Sequence, residues 1–271
     1  MKYHLVCGNL IKNYQNNNNI KTDLKEYINN NRQLLDDIYF KAKKIDTNKI
    51  NEILNEDDYL NTIKETLNNV KNINVLELIE KIINKLGKEL NDSNIHQNIY
   101  IIIGLNTTTI YSTEYEGKQV TVLLLESTLG INDNIKMLLA HEYTHWIRAK
   151  NINHNIFETS IGERFITEGI ACNFSRKIVP NKKDSYYCII PDNTVDWVKD
   201  NIKLIDELII GKENDKELMY NFFYMFAKTI IPDMPVRTGY IYGFLKVKEY
   251  LEKNNKDIKD IINIKWQEIL K

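Results

Sequence analysis

The stretch LLAHEYTHWIRAK, Leu138–Lys150, leaves the chain little choice of local structure. Ile135, Leu138, Leu139 and Ile147 recur at helical spacing, and no Gly or Pro interrupts the segment until well past Lys150. Asn132, Asp133 and Asn134 stand just ahead of it, short polar side chains of the kind that accept hydrogen bonds from the free N–H groups of a helix start. A helix is therefore predicted here. On a helix, residues four apart share a face, so His141 and His145 point the same way one turn apart. Two imidazole nitrogens so arranged can bind one Zn²⁺ at about 2.0–2.1 Å. Glu142 completes the pattern H-E-x-x-H, on an adjacent part of the helix where it reaches a water on the metal without being a ligand.

A catalytic zinc takes three protein ligands and keeps a fourth position open. The extended pattern H-E-x-x-H-x-x-G-x-x-H would need Gly and His where this chain has Arg148 and Asn151, which excludes a metzincin. The downstream candidates are His154, Glu158, Glu163 and Glu168. His154 lies in the polar stretch NINHNIF and reads as a solvated loop residue. Glu163 closes Ser160-Ile161-Gly162-Glu163, a capping box in which its carboxylate bonds the backbone at a helix start. Glu168 is different. It sits in the next helical segment, GERFITEGIACNF, 23 residues past His145 and flanked by Ile166, Ile170 and Phe174. A carboxylate half buried among apolar side chains needs a partner, and a metal is one. Gly169 and Ala171 beside it are small enough for close helix packing. His141, His145 and Glu168 are the expected zinc ligands.

HEYTH followed by TEGIA resembles the gluzincin zinc metallopeptidases, whose helix-borne glutamate follows the two histidines. More narrowly, HEY-x-H with a later EG-x-A is similar to a bacterial family of zinc-dependent proteases of the YjaZ type. The resemblance runs from near residue 98 to the final helix and is deepest over 138–174. It implies hydrolysis of peptide bonds in a peptide or protein substrate, with Glu142 as the general base acting on a zinc-bound water. The exopeptidase signature G-x-M-E-N is absent, so an endopeptidase is expected. One position departs from the pattern. Gluzincins of the thermolysin kind carry an Asp four residues after the ligand Glu to orient a ligand His; Cys172 stands there, so either Asn173 or a backbone carbonyl does that work or the site is weaker. A tetrahedral intermediate also needs a second electrophile, which related peptidases take from a later segment. PDMPVRTGYIYGF offers Arg237, Tyr240 and Tyr242; Tyr240 is chosen, in the first turn of a helix that Thr238 caps, and Arg237 is a candidate for a substrate carboxylate. The alternative from another class is a zinc-binding regulatory protein that senses a partner on this scaffold with little turnover.

Upstream, 99–105 and 120–128 read as strands, with a further strand and a turn at Glu116-Gly117 between them. The segment 120–128, directly before the histidine helix, is the expected edge strand for pairing with an extended substrate. The first ninety-odd residues carry helical stripes: Leu24, Ile28, Leu35 and Ile38; Leu60, Ile63, Leu67 and Val70; Ile79, Ile82, Ile83 and Leu86, ending at Gly87. Further helices are expected at about 194–210, 216–229, 239–253 and 257–270, punctuated by Pro180, Pro191, Pro232 and Pro235. The fold class expected is α+β: a helical region over 1–95, then a catalytic domain over 96–271 with a small mixed sheet, the two zinc helices and a helical C-terminal lobe.

Charge narrows the partners. With 36 basic and 37 acidic residues the chain has no electrostatic footprint for nucleic acid. No uncharged apolar run approaches membrane-spanning length, and the N-terminus lacks the apolar core of a signal peptide. Three unpatterned cysteines, Cys7, Cys172 and Cys188, fit a reducing compartment, so a cytoplasmic location is expected. Composition carries no signal for an oligomeric state.

Overall fold

A computed structural model describes residues 1–17, 19–104, 110–125, 131–152, 160–224 and 230–270. The fold is α+β, and the chain divides into two compact units: Met1–Asn84 with Asn94–Leu138, and Lys85–Ser93 with Leu139–Lys271.

The first unit holds the sheet. Strands β1 (Lys2–Leu5), β2 (Asn98–Ile103), β3 (Ile110–Tyr115) and β4 (Lys118–Leu125) lie in the order β1-β2-β4-β3. β2 pairs parallel with both β1 and β4, while β3 and β4 form an antiparallel hairpin. Its turn is Glu116-Gly117, both with positive φ (51° and 70°), the backbone that a two-residue hairpin turn demands and that Gly supplies without steric cost. Ile101, Ile102 and Ile103 on β2 and Val122 to Leu125 on β4 are all buried, the near-continuous apolar run of strands covered on both faces.

Two expectations about the sheet are corrected. β1 has no counterpart in the sequence reading: four residues at the N-terminus pair with a strand more than ninety residues away, and nothing local marks them. The segment expected to be an edge strand, 120–128, falls in β4 as far as Leu125, and there it is interior: β2 pairs with Thr121–Leu125 and β3 with Lys118–Leu123, while 126–128 lie outside the described residues.

Helices α1 (Gly8–Asn17), α2 (Ile20–Asn30), α3 (Arg32–Leu35), α4 (Lys41–Lys43), α5 (Thr47–Asn55), α6 (Asp57–Val70) and α7 (Val75–Glu89) follow β1, with a π-helical turn at Asp36–Phe40 joining α3 and α4. The apolar stripes predicted for this region are buried. The stripe from Leu24 to Ile38 is broken, however, by Asn31, which sits outside helical geometry (ψ 17°) between α2 and α3, its amide bonded back to the carbonyl of Tyr27.

The second unit contains most of α8 (Ile131–Ile152), then α9 (Ile161–Ile178), α10 (Asp184–Cys188), α11 (Asp192–Ile209), α12 (Lys216–Phe223), α13 (Thr238–Asn254) and α14 (Ile258–Ile261). Helices α9 and α13 pack most closely. A Cβ built on Gly243 would fall on the carbonyl oxygen of Phe165, and one on Gly169 would fall on the carbonyl of Gly243. Backbone meets backbone here, and neither side can give. Gly243→Ala is therefore expected to cost ~3 kcal/mol or more, a fall in melting temperature of roughly 6–12 °C, readable by calorimetry on the metal-free chain. An unchanged melting temperature would mean that the two helices separate freely.

The helix expected over 257–270 is a single turn, α14, followed by irregular chain and a 3₁₀ turn at Trp266–Glu268. The reason lies in Arg148. Its side chain is completely buried and donates to the carbonyl of Ile262 at 2.7 Å and to that of Ile264 at 3.4 Å, acceptors that a continuing helix would have used itself. Arg148 also pairs with Glu163 and donates to the hydroxyl of Thr167 at 3.1 Å. Its charge is thus compensated by a network that ties α8, α9 and the C-terminal segment together. Among the described residues, no helix is long and apolar enough to cross a membrane.

Candidate metal centre

The helix carrying HEYTH is buried nearly all round. Leu139, Ala140, Tyr143, Thr144, Ile147 and Arg148 are at most 1 % exposed, so α8 is a core helix rather than one with a wet face. His141 and His145 keep a small opening, with side chains 15 % and 13 % exposed. Their rings meet edge to face, centroids 4.8 Å apart. The turn between them is fixed from within, since the hydroxyl of Thr144 donates to the carbonyl of His141 at 2.8 Å.

Glu168, two turns into α9 and only 2 % exposed, supplies the third side of the group. Its Oε2 lies 3.1 Å from Nε2 of His141 and 3.5 Å from Nε2 of His145. One ligand atom from each of the three residues falls within 4.8 Å of the others, a cluster that could hold a metal ion. The other carboxylate oxygen, Oε1, accepts from Nη2 of Arg164 at 2.7 Å.

Electrostatics fit that use. Burial alone would raise the Glu168 carboxyl, but the Arg164 guanidinium and the two imidazoles outweigh it and hold it well below the usual carboxylate range. It stays anionic. Burial disfavours the His141 imidazolium, yet Cys172 and Glu168 beside it push His141 up to about 10. The Glu168 carboxylate thus favours positive charge beside it, the place a metal cation would take. Two imidazole nitrogens and one carboxylate oxygen, all within 4.8 Å of one another, are a donor set that suits zinc.

A family described as "Predicted Zn-dependent protease (DUF2268)" has a model that matches residues 75–271. The chain belongs to this family. No curated protein and no solved structure matches it. The matched span contains HEYTH, TEGIA and the whole of the second compact unit.

The remaining residues singled out in this DUF2268 chain divide into those near the cluster and those elsewhere. Cys172 is near: its Sγ lies 3.9 Å from Nδ1 of His141, so the residue at the departing position itself touches the histidine. Asn173 does not. Its amide is engaged by the carbonyls of Gly169 and Phe244 at 2.8 and 2.9 Å, tying α9 to α13. Nδ1 of His145 is buried with no hydrogen-bond partner among the described residues. Glu142 is 7 % exposed, one residue past His141 on α8. Tyr240, in the first turn of α13, hydrogen-bonds Arg164 through its hydroxyl, and Arg237 stacks over its ring at 4.6 Å. Burial first, then the nearby Glu168 carboxylate, push the Tyr240 phenol up, so it keeps its proton.

Tyr242 belongs to the core instead, 1 % exposed, edge to face with Phe165 at 4.6 Å and donating to Asp206 at 2.6 Å. Arg237 donates to the carbonyl of Ile189 at 3.0 Å. Thr238 does not cap its helix: Arg237 occupies the cap position with φ 63°, and the Thr238 hydroxyl is buried without a partner among the described residues. Only half of the Ser160–Glu163 capping arrangement forms as expected. Ser160 accepts from the Glu163 amide at 3.2 Å, but the Glu163 carboxylate turns to Arg148 and Thr167. His154 and Glu158 lie outside the described residues.

Arg164 was not foreseen in the sequence. The signal was present in its spacing, since Arg164 and Glu168 are an i,i+4 pair on one helix face. Such pairs are common on solvated helices, and only burial of the carboxylate sets this one apart.

Proposed function

We propose that the chain is a gluzincin-type zinc peptidase in which His141, His145 and Glu168 hold the ion, Glu142 is the general base and Tyr240 steadies the transition state. The observation that carries this reading is the convergence of Nε2 of both histidines on one oxygen of a carboxylate that is 2 % exposed. Arg164 engages Oε1 of that carboxylate, and the oxygen on which the imidazoles converge is the one left to a metal.

A bound zinc ion would supply a Lewis acid that polarises the scissile carbonyl and lowers the pKa of water. Glu142, on the turn that carries both histidines, accepts a proton from the attacking water as its oxygen bonds to the carbonyl carbon. It then delivers that proton to the nitrogen as the C–N bond breaks. The Tyr240 hydroxyl, protonated and held by Arg164, donates to the oxygen on which negative charge develops. Cys172 stands behind His141 and limits the ring to orientations that keep Nε2 on Glu168. A peptide or protein is the substrate class these groups serve.

The test is peptide-library cleavage by chain purified without a polyhistidine tag, read by mass spectrometry. Treatment with a zinc chelator is expected to reduce cleavage to background, and one equivalent of zinc to restore it. Cleavage that persists through chelation would overturn the reading, as would its absence from chain carrying a full equivalent of zinc.

A further inference from the structure

Both oxygens of Glu168 are engaged, and the two engagements differ in kind. Oε2 faces the imidazoles of His141 and His145 at 3.1 and 3.5 Å. Oε1 faces Nη2 of Arg164 at 2.7 Å. Arg164 lies one turn before Glu168 on α9, and its side chain is 21 % exposed, too enclosed for an ordinary surface charge. Its guanidinium lies over the ring of Phe223 at 5.5 Å and hydrogen-bonds the hydroxyl of Tyr240. Phe223 in turn packs on Phe165 and Tyr240, with centroids 5.4 and 5.3 Å away. The guanidinium is thus held in place by an aromatic floor, a phenol and a carboxylate.

A carboxylate with two free oxygens can chelate a divalent ion through both of them. The second oxygen would then take up the position that a catalytic zinc site keeps open for water. A planar guanidinium prevents this, because its fixed fork of N–H groups can bond one carboxylate oxygen and a second acceptor at the same time. We propose that Arg164 is a positioning residue of the metal centre: it occupies Oε1 of Glu168 so that Oε2 alone is offered to the ion, and it holds the Tyr240 hydroxyl on the same group. The proposal rests on the reading of Glu168 as a ligand.

Two measurements test it. In X-ray absorption by the zinc-loaded wild type, the carboxylate is expected to contribute a single oxygen; the short metal-to-carboxyl-carbon distance of two-oxygen chelation would overturn the proposal without any variant. The second compares cobalt-substituted wild type, Arg164→Met, Arg164→Lys and Glu168→Ala by visible absorption. Arg164→Met is expected to lose d–d intensity as Oε1 joins the ion, with cleavage reduced by ~10–100-fold. Arg164→Lys, whose ammonium can still reach Oε1, is expected to recover the wild-type spectrum. An Arg164→Met spectrum identical to wild type, with metal lost from Glu168→Ala, would overturn the role of Arg164 alone. Metal held by Glu168→Ala as tightly as by wild type would overturn the ligand reading, and this proposal with it.

Discussion

Replacing Glu142 with Gln is expected to leave zinc bound at wild-type stoichiometry and to lower peptide cleavage by ~10²–10⁴-fold, the size of a general-base contribution. In free energy that is roughly 3–5 kcal/mol of transition-state stabilisation. The amide has nearly the shape of the carboxylate, so at a side chain 7 % exposed the packing of α8 is retained. What disappears is the carboxylate oxygen that the proposed mechanism uses to accept a proton from water. The prediction separates two classes of function that share a metal site. A zinc-bearing regulatory protein has no use for a base at this position, and its partner binding would be indifferent to the change. Cleavage within about tenfold of wild type in Glu142→Gln would remove Glu142 from the mechanism.

Glu168→Ala is expected to have the other large effect, on the metal itself. Loss of an outer-shell partner costs ~10–100-fold in metal affinity, and loss of a ligand should exceed that range. Zinc titration against a chromophoric competitor reads it directly. Two contributions oppose each other in the metal-free protein. The variant loses the ion pair with Arg164 and the contacts to both histidines, but it also no longer buries a carboxylate. Removing the carboxylate leaves the enclosed Arg164 guanidinium without its ion-pair partner, so some loss of metal-free stability is expected, and the zinc dependence of the melting temperature is what isolates the ligand role. The melting temperature of the wild type should therefore rise with added zinc while that of the variant stays flat. Equal zinc-dependent stabilisation of both would show that the third ligand lies elsewhere.

The helices were readable where a local rule and the tertiary environment agreed. Leu60, Ile63, Leu67 and Val70 form one face of α6 because that face is covered, and all four are at most 7 % exposed. The i,i+4 spacing of His141 and His145 determines a shared face on any helix, whatever packs around it. Glu168 was legible for a related reason: a charged side chain among Ile166, Ile170 and Phe174 conflicts with a solvent-facing position, and the conflict itself marks a partner. Failures came where the deciding contact was distant. α14 ends after one turn because Arg148, more than a hundred residues earlier, takes the carbonyl of Ile262. The Glu163 carboxylate leaves its capping role because the same Arg148 competes for it.

By itself, then, the sequence indicated most of the longer helices, the hairpin turn at Glu116-Gly117, and that His141, Glu142 and His145 share one turn of one helix. These follow from periodicity, turn chemistry and residue type, all of which act over a few residues. Tertiary structure alone decided that β1 lies parallel to β2, that β4 is interior, and that Cys172 stands at 3.9 Å behind His141. It also decided the division of Glu168, with Oε2 toward the histidines and Oε1 toward Arg164. Pairing between distant strands uses backbone amides that every residue carries, so no side chain announces it. The choice between two oxygens of one carboxylate is likewise invisible until burial limits which cations can reach each of them.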